Sequence, residues 1–134
     1  MADPFQFELV SPERLLVSAL VEQVVVPGSE GYFTVLKGHA PYMSTMKAGV
    51  VDVTQDGEKQ RIFVRGGFAD VNASGLTILA EQAIPLAEVD PDWLAQEVTN
   101  AQEDVVDAKD GASRDSAEMR LQELKEVQTA LSGR

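Results

Sequence analysis

Apolar and polar residues alternate strictly through Phe5-Gln6-Phe7-Glu8-Leu9, a period of two that predicts a half-buried strand. Ser11-Pro12-Glu13 breaks the pattern. From Arg14 to Val26 the chain is dense in valine and leucine, and 13 residues are long for one strand, so two are predicted, bent near Ser18-Ala19. Pro27-Gly28-Ser29-Glu30-Gly31 is turn-forming by composition. Tyr32 to Leu36 is a further strand. It leads into Lys37-Gly38-His39-Ala40-Pro41, a loop because the residue before a proline is held in extended geometry. Tyr42–Lys47 and Gly49–Thr54 follow as strands, with Val51 and Val53 inward and Asp52 and Thr54 outward. Asp56-Gly57 is a hairpin signal. Gln60–Arg65 returns, Gly66-Gly67 permits a bulge or close approach, and Phe68–Asn72 and Leu76–Glu81 complete the series. Eight to ten short strands with no helical period among them predict an antiparallel β-sandwich.

After Pro85 the period changes. Asp90 is placed to cap a helix with Pro91 at its first position. Leu94, Val98, Ala101, Val105 and Ala108 then recur every three or four residues, forming one apolar stripe. Gly111 is read as the stop, Ser113 as the next cap, and Ala117, Leu121, Leu124, Gln128 and Leu131 as the second stripe. Two amphipathic helices joined by a short connection predict an antiparallel hairpin. The fold is therefore mainly β plus α, divided into a sandwich over 1–86 and a helical hairpin over 87–134. The hairpin's stripe is narrow and alanine-rich. Its packing falls to Leu94, Val98, Val105, Leu121, Leu124 and Leu131, which makes it marginal by itself.

Charge narrows the function. The chain has 11 basic and 22 acidic residues, a net charge of −11, which speaks against nucleic acid or anionic lipid as a direct ligand. The region from Glu88 onward carries 12 acidic against five basic residues. Without cysteine there is neither a disulfide framework nor a thiolate metal site. No apolar run reaches the roughly 18 residues needed to span a bilayer, and MADPFQFELV does not read as a leader. These features lead us to expect a protein with no direct membrane insertion. The single histidine, His39, rules out a histidine-based metal cluster, and no nucleophile-base-orienter set can be assembled around it. His39 is read as structural or as a contact residue. Tyr42, Met43 and Met46 suit either a core or a recognition surface. No phosphate-cradling glycine motif is present.

The glycine-rich centre and several flanking stretches resemble one family in the correct order. Leu9-Val10-Ser11-Pro12-Glu13, Gly28-Ser29-Glu30-Gly31, Gly38-His39-Ala40-Pro41 with Gly49, Arg65-Gly66-Gly67-Phe68-Ala69-Asp70-Val71 and Leu76-Thr77-Ile78-Leu79-Ala80-Glu81-Gln82-Ala83 are together similar to the epsilon subunits of bacterial F-type ATP synthases. The resemblance implies a ten-stranded sandwich followed by two helices. It implies a non-catalytic central-stalk (rotor) subunit that couples proton transport through the membrane ring to ATP synthesis, peripheral at the cytoplasmic face of the inner membrane. The partners it implies are the gamma subunit and the ring of c subunits, with alpha and beta reached through the hairpin. By position it assigns Glu30, Gly31, Tyr32, His39, Ala40 and Pro41 to the end facing the c ring, with Tyr32 where some members carry an acid.

In some members the helices inhibit hydrolysis, and some bind ATP through Ile/Leu-Asp-x-x-Arg-Ala. Here Val89-Asp90-Pro91-Asp92-Trp93-Leu94 keeps the aspartate but has Trp93 and Leu94 in place of Arg and Ala, removing the phosphate-facing charge. No cofactor is expected. An ATP-responsive inhibitor acting through the hairpin is the alternative reading.

Overall fold

The computed structural model describes residues 3–132, and the chain divides between Pro85 and Leu86 into two units. The first contains β1 (Phe5–Val10), β2 (Leu15–Val21), β3 (Gln23–Gly28), β4 (Gly31–Val35), β5 (Tyr42–Thr45), β6 (Gly49–Gln55), β7 (Glu58–Asn72) and β8 (Gly75–Pro85). The strands hydrogen-bond in the order β2-β1-β8-β7-β6-β3-β4, with β5 on β7 beyond that path. Eight strands rather than ten are continuous, because β7 and β8 each run through both layers of the sandwich. The 58–64 part of β7 pairs with β6, and its 68–71 part pairs with β5, while β8 follows along the whole length. Each layer thus holds five strand segments.

The turnover lies at Gly66-Gly67. Ile62 and Val64 are buried before it and Ala69 and Val71 after it, so the inward parity of the strand switches there. Both glycines have positive φ (70° and 102°), and a Cβ at Gly67 would collide with the Leu79 carbonyl. The sequence treats 60–65 and 68–72 as separate strands; they are one 15-residue strand flipped at its middle. The expected bend near Ser18-Ala19 falls instead at Glu22. β2 stays paired with β1 up to Phe5↔Val21, and only then does the chain change layer, the Glu22 N–H donating to the Thr54 carbonyl (2.9 Å). The sandwich is also not wholly antiparallel, since β1 lies parallel to β8. Asp56 (φ 52°) and Gly57 (φ 81°) form the β6–β7 hairpin turn that Asp-Gly predicts.

The core follows the period-two pattern. Phe7, Leu9, Val24, Val26, Val51, Val53, Ile62, Val64, Leu76 and Ile78 belong to one buried cluster drawn from both layers. Val51 and Val53 face inward as expected.

The second unit opens with a 3₁₀ turn, Leu86–Glu88, and contains α1 (Pro91–Asp107) and α2 (Gly111–Ser132). Asp90 caps α1 through the Asp92 N–H (2.9 Å), with Pro91 at the start. Gly111 does not stop α1, which ends at Asp107 with Ala108 extended. It begins α2 instead, and the cap is Asp110, whose Oδ1 accepts the Ser113 N–H at 2.7 Å. Leu94, Val98 and Ala101 are buried, as is Val127, which takes the place predicted for Gln128. Val105, Leu121, Leu124 and Leu131 are half-buried. Arg120 Nη2 to Glu97 Oε1 (2.8 Å) joins the two helices, at distances from the connection that an antiparallel register requires.

Candidate functional site

The segment 28–49 forms one margin of the sandwich. β4 pairs with β3 from Gly28↔Gly31 to Val24↔Val35. β5 lies on β7 from Tyr42↔Val71 to Thr45↔Phe68. Its far end is also fastened to the end of β3, through the Gly28↔Met46 bridge and the Ser29 N–H to the Thr45 carbonyl (2.9 Å). The Ser29 and Thr45 hydroxyls meet at 2.6 Å. β5 therefore closes this edge between the two layers.

This arrangement separates the six residues that the resemblance groups together. Glu30, Gly31 and Tyr32 lie where β4 begins, beside Thr45 and Lys47. His39, Ala40 and Pro41 lie beyond the other end of β4, about 17 Å along an extended strand of five residues. At the second location His39 lines a cleft of about 300 Å³ with Leu20, Leu36, Lys37 and the Asn72–Gly75 turn. A larger cleft of about 900 Å³, lined by Glu22, Gln23 and Asp56, shares Pro4, Leu20 and Leu36 with it.

His39 makes local contacts. Its Nδ1 lies 2.7 Å from the Ala40 carbonyl, its N–H donates to the Leu36 carbonyl (3.0 Å), and its ring is 6.4 Å from those of Phe33 and Tyr42. Phe33 and Tyr42 meet edge to face at 5.2 Å. The open question over the methionines divides: Met46 is buried, whereas Met43 and Tyr42 are exposed.

Tyr32 is exposed but anchored. Its Oη accepts the Val50 N–H (3.2 Å), and Lys47 Nζ stands 5.0 Å from its ring centroid. Gly49 makes room for it, because a Cβ there would lie 2.6 Å from Tyr32 Oη and 2.8 Å from Pro27 Cβ.

A second surface was not visible in the linear pattern. Leu15, Val10, Leu79 and Phe68 are successive cross-strand partners over β2, β1, β8 and β7, with Thr45 of β5 next to Phe68. Leu15, Leu79 and Phe68 are exposed, so an apolar row crosses four strands on the outer face of this layer. Only the register reveals it, since each member looks like an isolated outward residue in its own strand.

Among the described residues no group of three or more His, Cys, Asp or Glu could hold a metal, and no helix is long and apolar enough to cross a membrane. Residues 4–86 match the family model described as ATP synthase, Delta/Epsilon chain, beta-sandwich domain. The chain is 52% identical over 128 residues to the ATP synthase epsilon chain of Parvibaculum lavamentivorans, covering 95% of this chain and 97% of that one. It is 51% identical to the epsilon chain of Mesorhizobium japonicum, covering 98% of each. Among solved structures, a chain of the Euglena gracilis mitochondrial ATP synthase (OSCP/F1/c-ring) superposes with a TM-score of 0.86 at 27% identity, over 98% of this chain and 83% of that one. A chain from the central stalk/c-ring structure of the Tetrahymena thermophila enzyme shares the fold, with a TM-score of 0.70 at 12% identity. The ordered motifs, the sandwich-then-hairpin plan and these near full-length matches agree: the chain belongs to the family of ATP synthase epsilon chains.

Proposed function

We propose that this chain works as a non-catalytic rotor part of an F-type ATP synthase, held to the gamma subunit and seated on the c ring, so that rotation driven by proton flow is transmitted to the catalytic head. The observation that carries the reading is the presence of two separate exposed surfaces on one closed sandwich. The row Leu15-Val10-Leu79-Phe68 is a flat apolar strip suited to a permanent partner, and gamma is assigned to it. The polar turn of Glu30, Gly31 and Tyr32 is a firm, glycine-shaped projection, and the c ring is assigned to it. In this reading His39, Ala40 and Pro41 shape the opposite end and do not touch the ring. The chain itself would then sit peripherally, at the cytoplasmic face of the inner membrane.

Cysteines at Leu79 and Glu30 test this in the assembled enzyme. Leu79→Cys is expected to crosslink to gamma and Glu30→Cys to c. Exchange of these products, or c-ring crosslinks from His39→Cys instead of Glu30→Cys, would overturn the assignment.

A further inference from the structure

Lys47 follows β5 and is exposed, with its backbone N–H donating to the Pro27 carbonyl (3.1 Å). Its ammonium is held over the Tyr32 ring at 5.0 Å. That ring is tethered at its hydroxyl by the Val50 N–H, with Gly49 beside the hydroxyl and Pro27 as its cross-strand partner. An aromatic face orients an ammonium but leaves its formal charge unneutralised. Lys47 has no carboxylate partner among the described residues, whereas Arg14 and Arg65 are both engaged within the chain. In a protein of net charge −11, a fixed and unneutralised cation at the turn end of the sandwich is a directed feature.

We propose that Lys47 recognises a carboxylate on a protein loop seated against this end, with Tyr32 as the residue that positions it. The inference rests on the reading that this end meets the c ring, and it assigns the chemistry of that contact. The exposed carboxylate of Glu30 on the neighbouring β3–β4 turn disfavours a uniformly anionic surface such as phospholipid, and so does the overall negative charge. A loop carrying an acid for Lys47, with neutral or basic groups beside it for Glu30, fits both charges.

The test is rebinding of the full chain to complexes depleted of it, at low and high salt. Lys47→Met, which keeps the stem, is expected to weaken binding about threefold to tenfold, and Lys47→Glu by about a further tenfold. Both differences should shrink at about 0.5 M salt, where charges beyond a few ångströms are screened. Lys47→Arg should bind like the original, and Tyr32→Leu should lose about as much as Lys47→Met. Equal low-salt binding by Lys47→Glu and the original chain would overturn the proposal. So would Lys47-dependent binding to phosphatidylglycerol vesicles free of protein, which would make the ligand a lipid. The Glu30→Cys crosslink separates the two levels: its presence with an indifferent Lys47 refutes this inference alone, and its absence refutes the c-ring reading beneath it.

Discussion

A methyl group at position 49 would have nowhere to go. Tyr32 Oη and Pro27 Cβ both lie within 2.8 Å of where it would sit, and Pro27 belongs to a paired strand that does not shift easily. Gly49→Ala is therefore expected to destabilise the sandwich by about 1–3 kcal/mol, the usual cost of overpacking a filled site, measurable by urea denaturation. Combining it with Tyr32→Leu should recover part of that loss, because one of the two obstructing groups is removed and the sites are in direct contact. No recovery would mean that Pro27 alone sets the cost. The glycine itself was legible in the sequence as part of a conspicuous segment, but its reason was not: the crowding atoms come from residues 17 and 22 positions away, brought together by strand pairing. His39 shows the reverse case. As the only histidine it attracts attention, yet its neighbours are local ones, the Ala40 carbonyl and the Phe33 and Tyr42 rings.

At the scale of elements, patterns confined to one strand or one helix were readable, and those set by a neighbour were not. Alternation in β1 and β6 gave the buried valines and phenylalanines directly, and Asp90-Pro91 marked the start of α1. The layer change at Glu22 depends on how far β1 extends, and the flip of β7 depends on β8 following it, so neither appears in the local sequence. The cap of α2 was misplaced because both Asp110 and Ser113 suit the position, and only the geometry selects Asp110. That cap has a pH consequence. The Ser113 backbone N–H, then the Ser113 side chain, hold the Asp110 carboxyl below its ordinary 3.8. A lowered folded-state value means that the ionised carboxylate favours the folded helix. The contribution is complete above the ordinary value and is lost as pH falls through the lowered one. Amide exchange at Ser113 and Arg114 should thus quicken relative to the rest of α2 in acid below about pH 4, once corrected for intrinsic rates. Asp110→Asn should remove most of that pH dependence. An unchanged acid profile in Asp110→Asn would show that another group governs it.

For the whole molecule, the two units differ in how they are held. Every residue of the sandwich cluster and its half-buried neighbours lies between Phe5 and Ala83, so the core is complete before the helices begin. Among the described residues of its two helices, only Leu94, Val98, Ala101 and Val127 are buried, and the region from Glu88 onward carries 12 acidic residues against five basic ones. Removing residues 90–134 is therefore expected to leave the sandwich folded, with cooperative unfolding by circular dichroism and a single transition. The same truncation tests regulation. By the resemblance drawn from the sequence, Trp93 and Leu94 stand where an ATP-binding arginine and alanine would be expected. Leu94 is buried, and Asp90 Oδ1 accepts the Asp92 N–H as the cap of α1. A strongly acidic hairpin is also poorly matched to any acidic partner surface, because like charges brought close oppose docking. We accordingly expect the assembled enzyme carrying the truncated chain to hydrolyse ATP within about twofold of the intact enzyme, since no docking energy of consequence is lost. A rise of tenfold or more on truncation, reversed by supplying the full chain, would show that the hairpin acts as a brake despite its charge. Isothermal titration of the full chain with millimolar ATP gives the independent check, with no binding heat expected.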